Sequence, residues 1–157
     1  MHKYLVVLSF LAMLGGMYTY SLLNSPKPAS TAQVYESNCD LASSDCKVRI
    51  SEELTLAFAL NPKPILALAP LELTITTENL NDLSFKAWFE GRDMAMGQHY
   101  LIPEKNSENT AKQSALFKGM IPICAVDNTM QWTLTIEFLH QNSLRHVQFK
   151  LIPGVAR

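Results

Sequence analysis

From about residue 54 to residue 151 the apolar side chains recur at every second position. That alternation limits what this chain can fold into more than any other feature. Leu54, Leu56, Phe58 and Leu60 form one such row. Leu71, Leu73 and Ile75 form the next, with Glu72, Thr74 and Thr76 between them. Leu83, Phe85, Ala87 and Phe89 oppose Ser84, Lys86, Trp88 and Glu90. The strongest row is Met130, Trp132, Leu134, Ile136 and Phe138, and Val147, Phe149 and Leu151 close the series. Side chains on a strand point alternately to opposite faces, so a period of two sorts one face apolar, whereas a helix needs a period near 3.6. No segment of this region carries a helical stripe. Breaks fall at Asn61-Pro62-Lys63-Pro64, at Asn79-Leu80-Asn81-Asp82, in the loop through Gly97 and Pro103 to residues 105–109, and at Gln141-Asn142-Ser143. Residues 111–118 read as a weaker strand. About seven short strands separated by turns predict an all-β domain, an immunoglobulin-like antiparallel β-sandwich. Trp132 belongs to its core. Trp88 lies on the opposite parity from its phenylalanine neighbours, and is expected at the surface or against a partner.

Ahead of this region lies a different kind of segment. Residues 4–23 hold no charge and are almost wholly apolar, preceded by Met1-His2-Lys3. Twenty residues is about the length a helix needs to cross the hydrocarbon layer. The nearest small-residue cleavage pattern, Ser30-Thr31-Ala32, comes after Pro26 and Pro28 and lies far from Leu23. An uncleaved transmembrane helix over 1–23 is therefore favoured over a cleaved signal. Residues 24–38 read as a linker and 39–157 as the folded domain. Lys3 places the start in the cytoplasm and the domain on the extracytoplasmic, periplasmic side of the inner membrane. Net charge is −1, and the thirteen basic residues are scattered singly, which argues against a nucleic-acid partner.

Cys39 and Cys46 bracket a short polar loop and Cys124 lies far downstream. In an exported domain two nearby cysteines are most simply a disulfide. Three cysteines allow three single bridges, and pairing of Cys124 with Cys39 or Cys46 stays open. A thiol left over outside the cytoplasm has to be buried, bound to metal or shared with another chain.

The chemistry worth weighing lies in Gly91-Arg92-Asp93-Met94-Ala95-Met96-Gly97, in Ile121-Pro122-Ile123-Cys124 and in Met130-Gln131-Trp132. If 94–96 is extended, Met94 and Met96 point to one side. Two thioethers with a thiol nearby suit a soft ion such as Cu(I), whereas the ordinary use of methionine is to fill core. Gly97 permits a positive φ where the strand ends. Asp93 caps a turn or orients a ligand. His99 is the histidine nearest the methionine pair, while His140 and His146 fall in other segments. No nucleophile motif, Gly-rich phosphate loop or Cys-x-x-Cys occurs, so the chain does not read as an enzyme.

Taken together, the anchor, the short cysteine pair, the Met-x-Met-Gly after a strand, Pro-x-Cys and Met-x-Trp resemble the small membrane-anchored YtkA-like or FixH-like exported domains. The resemblance runs from about Cys39 to the end and rests on short motifs. It implies an immunoglobulin-like module concerned with copper handling or cytochrome oxidase assembly. It also implies Met94, Met96, Cys124 and Met130 as metal ligands, with His99 as a weaker addition. One departure is that no His-x-Met pair occurs. The competing expectation is a scaffold or assembly-factor domain that binds no metal and offers an edge strand or the Trp88 face to an oxidase or other membrane protein complex.

Overall fold

The computed structural model describes residues 32–77, 83–104, 113–123 and 130–155, and within them the alternation becomes strands. Twelve occur among the described residues: β1 (Gln33–Ser37), β2 (Cys46–Arg49), β3 (Thr55–Asn61), β4 (Leu66–Ala67), β5 (Leu71–Thr77), β6 (Phe85–Gly91), β7 (Gln98–Tyr100), β8 (Ile102–Glu104), β9 (Gln113–Gly119), β10 (Trp132–His140), β11 (Ser143–Leu151) and β12 (Gly154–Val155). One five-stranded sheet has the order β1-β11-β10-β6-β7, the other β2-β3-β5-β9-β8, and β12 pairs with β4 in a small parallel ladder. Seven of these strands follow the constant-type immunoglobulin pattern. β3-β5-β9-β8 stand as the first, second, fifth and fourth strands, and β6-β10-β11 as the third, sixth and seventh. The chain then adds β7, β1 and β2 as extra edge strands.

The two sheets meet through the rows read from the sequence. Leu54, Leu56, Phe58, Leu60, Leu73 and Ile75 from one sheet, and Phe89, Trp132, Leu134, Ile136, Phe138, Val147 and Phe149 from the other, are buried in one core. The rings of Phe58 and Phe149 touch across it edge to face, with centroids 5.0 Å apart. Each such side chain contributes about 1.5–3 kcal/mol by leaving water. Pairing of β10 with β11 is closed by a two-residue turn, His140 opposite Ser143. Gln141 and Asn142 both take positive φ, at 50° and 60°. That is the turn whose twist matches the flanking strands. The turn is thus one residue shorter than expected, and Ser143 already belongs to β11.

Three expectations shift. The linker drawn over 24–38 ends before Gln33, because Gln33–Ser37 runs parallel to β11, Gln33 opposite Arg145 and Ser37 opposite Phe149. The Arg145 guanidinium fastens this edge by donating to Gln33 Oε1 and Tyr35 Oη. Trp88 is neither at the surface nor against a partner, being 5% exposed. It does lie on the outer face, but Tyr100 of β7 and His146 of β11 cover it, with ring centroids 5.5 and 5.7 Å away. The strand that begins near Leu83 ends at Gly91, and the chain bends through 92–94, so Met94-Ala95-Met96 is not a strand.

Of the three possible bridges, the structure has Cys39–Cys46, with Cα atoms 5.9 Å apart. The loop it closes drives Leu41 fully into the core, and a loop of that length stabilises by about 2.5 kcal/mol in the chain-entropy model. Residues 1–23, expected to form the transmembrane helix, lie outside the described residues, as do Cys124 and all four residues of the Asn79-Leu80-Asn81-Asp82 turn. Among the described residues no helix is long and apolar enough to cross a membrane.

Candidate functional site

The strand registers bring the described parts of the three segments, 91–97, 121–123 and 130–132, to one end of the sandwich. Gly91, the last residue of β6, stands opposite Trp132, the first residue of β10. The loop 92–97 therefore leaves β6 beside the segment that delivers Met130 to β10. Gly91 has no side chain, and the space over it is taken. A Cβ built there would lie 2.0 Å from the Met130 methyl carbon, 2.6 Å from the Met94 carbonyl oxygen and 3.2 Å from Met96 Cγ. Met96 and Met130 thus converge on one glycine from different stretches of chain. Met130 is 3% exposed and Met96 packs against the core from the rim.

His99 joins them from β7, where it stands opposite Phe89. Its Nε2 lies 3.1 Å from the Met96 carbonyl oxygen. A carbonyl only accepts, so Nε2 carries the proton and donates, which leaves Nδ1 of the neutral ring with its lone pair. The ring packs edge-on against Trp132, with centroids 5.8 Å apart and planes at 71°. The turn into β7 is made at Gly97, whose φ is +75°. The positive φ expected there is what the structure has, although the strand it follows stops six residues earlier.

Two hydrogen bonds extend the β6–β10 ladder into the loops. Arg92 N–H donates to the Gln131 carbonyl at 2.9 Å, and Gln131 N–H donates to Asp93 Oδ2 at 3.2 Å. Asp93 therefore closes a contact between the two loops. On the far side of this end, Ile121 is fully buried and its carbonyl accepts the Leu68 N–H at 2.9 Å.

Of the five residues proposed as ligands, Met96, Met130 and His99 come together. Met94 lies in the bend and is 46% exposed, whereas Met96 packs against the core, so the two part company where an extended segment would have aligned them. Its carbonyl, not its thioether, is what the structure places over Gly91. Cys124 follows Ile123 in the chain and lies outside the described residues. The contacts run through the Met130 methyl carbon, Met96 Cγ and the Met96 carbonyl, and the side chains involved carry two thioethers and one imidazole, soft and borderline groups of the kind that match Cu(I) better than hard cations. Among the described residues no group of three or more His, Cys, Asp and Glu is placed to hold a metal ion. Gly91 and Gln131 were not singled out from the sequence. A glycine at the end of an otherwise apolar strand was the available signal, since it often marks a close approach.

The outer face of the same sheet holds a separate charged group. Glu137 accepts from Lys86 Nζ at 3.2 Å and pairs with His146 Nε2 at 3.0 Å. Burial pushes the Glu137 carboxyl up, but the hydrogen bonds and charges of His146 and Lys86 together outweigh it and hold the group below its ordinary value.

No family model matches the sequence, and no curated protein does either. Among solved structures the chain is similar to the fourth constant immunoglobulin domain of nurse shark IgNAR. The identity is 11% and the TM-score 0.43, covering 67% of this chain and 100% of that one.

Proposed function

We propose that this protein is a membrane-tethered, extracytoplasmic Cu(I)-binding module that takes part in copper delivery or cytochrome oxidase assembly. The observation that supports the reading best is the meeting of Met96 and Met130 over Gly91 beside His99. A histidine that binds metal through one ring nitrogen usually donates the other N–H to a carbonyl or carboxylate, which sets its tautomer and orientation. His99 makes such a bond to Met96, so Nδ1 is its ligand atom. Met96 and Met130 supply thioethers, Met94 a further one from the exposed rim, and Cys124 a thiolate from the connection between Ile123 and Met130. Copper here is cargo. The apolar, unbroken stretch 4–23 is the tether, and the likeness of the Met-x-Met-Gly, Pro-x-Cys and Met-x-Trp motifs to YtkA-like and FixH-like domains points the same way.

The test is Cu(I) binding by the full chain in detergent, anaerobic and reduced, against a competing chelator. Leucine at both 96 and 130 conserves volume and keeps the fold. That double variant should bind at least about tenfold more weakly, or roughly 1.4 kcal/mol, and His99→Asn should also weaken binding. Wild type that fails to compete, or variants that bind as well as wild type, would overturn the reading.

A second reading, an assembly factor that holds no metal, has one observation in its favour. Leu68, Met120 and Ile152 are 56%, 52% and 64% exposed on loops at this same end of the sandwich. Leu68 is moreover held at φ 60°, where a leucine is strained. On this reading serine at Leu68 and Ile152 releases the protein from an oxidase or other membrane complex, whereas leucine at Met96 and Met130 does not.

A further inference from the structure

The ladder between β6 and β10 ends at the Gly91–Trp132 pair. Past that pair the loop carrying Met94 and Met96 must be held against the segment carrying Met130 by something else. Among the described residues two bonds do this. Arg92 N–H to the Gln131 carbonyl is backbone alone and survives any side-chain change. Gln131 N–H to Asp93 Oδ2 is different, because the chain bends away at 92–94 and a carboxylate oxygen takes the place of the missing strand carbonyl. Downstream the loop is pinned again, by the turn at Gly97 and by His99 on the Met96 carbonyl. Between these fixed ends lies the Met94 carbonyl, pressed to 2.6 Å from where a Gly91 Cβ would stand, and Met96 beside it. The Asp93 contact is solvent-exposed and single, so it opens far more easily than the ladder on either side.

We infer that Asp93 is the positioning residue of the thioether site, a latch whose bond to the Gln131 amide holds the Met94–Met96 loop onto the Met130 segment and sets how fast a bound soft metal leaves. The inference rests on the copper reading for its metal, but the latch itself exists without metal. Asp93 touches no ligand atom and acts through the two loops it joins. Loss of one exposed, charge-assisted hydrogen bond changes the open fraction of the loop by about fivefold to tenfold.

The experiment uses the full chain with Asp93→Ala and Asp93→Asn. Asparagine keeps an oxygen that accepts from the Gln131 amide, and alanine does not. In the metal-free protein, hydrogen exchange at the Gln131 amide should quicken about fivefold or more in Asp93→Ala and stay near wild type in Asp93→Asn. In protein loaded with Cu(I), transfer to bathocuproine disulfonate should speed up by a similar factor in the alanine variant and be restored in the asparagine one. The unfolding midpoint of both should stay close to wild type, which a merely structural role would not allow. An unchanged Gln131 exchange rate in Asp93→Ala overturns the latch, and so does an exposed amide with unaltered transfer. If no form of the protein, wild type included, retains Cu(I), the copper reading fails, and the amide exchange still decides whether the latch exists.

Discussion

Replacing Gly91 by alanine sets a methyl group where three other groups already stand. The new Cβ would lie 2.0 Å from the Met130 methyl carbon, which is the free end of a flexible side chain and can swing aside. It would also lie 2.6 Å from the Met94 carbonyl oxygen, which is backbone, so the loop itself must retreat by several tenths of an ångström. Met96 Cγ at 3.2 Å must give as well. Overpacking of this kind costs about 1–3 kcal/mol. Removing a glycine from a strand returns about 0.5–1 kcal/mol, which leaves a net loss of about 1 kcal/mol. Gly97→Ala is the matched control. Nothing lies within 4 Å of a Cβ at Gly97, but its φ is +75°, so alanine there loses about 1 kcal/mol through backbone strain alone. The two variants should therefore show similar urea midpoints and differ at the methionines. With methyl-labelled methionine, the Met130 and Met96 resonances should move in Gly91→Ala and hold in Gly97→Ala. On the copper reading, Cu(I) affinity should fall about tenfold or more in the first only, since the placement of the two methionines is what changed. A Gly91→Ala protein as stable as wild type, with both resonances unmoved, would refute the packing argument.

Two further outcomes follow from other parts of the fold. Leu68 sits at φ 60° with its N–H held by the Ile121 carbonyl; Asn, which tolerates that conformation, should raise stability by about 0.5–1 kcal/mol, and a lowered denaturation midpoint would refute the strain. Because the folded Glu137 carboxyl is held below its ordinary value of 4.5, its ionised form favours the folded state at neutral pH. That contribution is lost as pH falls from about 4.5 through the folded value. Glu137→Gln should therefore lose about 0.5 kcal/mol at pH 7, with the gap to wild type closing in acid; a gap that widens in acid would reverse the sign of the argument.

Much of the fold was legible because it depends on neighbours in the chain. The rows Leu54 to Leu60, Leu71 to Ile75 and Trp132 to Phe138 became β3, β5 and β10, since burying one face of a strand demands alternation whatever it packs against. The glycine turn at 97 and the Cys39–Cys46 bridge were legible for the same reason, being set by φ preference and by short loop closure. β1, β2, β4, β7, β8 and β12 were not legible. They are edge or minor strands of two to five residues, and their sequences carry no period to read. Trp88 was misplaced on that account, because its parity was read correctly and the cover over it comes from Tyr100 on an unseen strand.

By itself the sequence determined the all-β class and most of the long strands and favoured the Cys39–Cys46 pairing among three, because each follows from residue type and spacing. Tertiary structure alone decided which of the methionine side chains meet. Met96 and Met130 are brought together by the register that sets Gly91 opposite Trp132 and by the missing side chain at Gly91. Met94 turns to the rim because the chain bends at 92–94. Register between strands distant in the chain is fixed by how whole rows of side chains interlock in the core, and no local pattern encodes that.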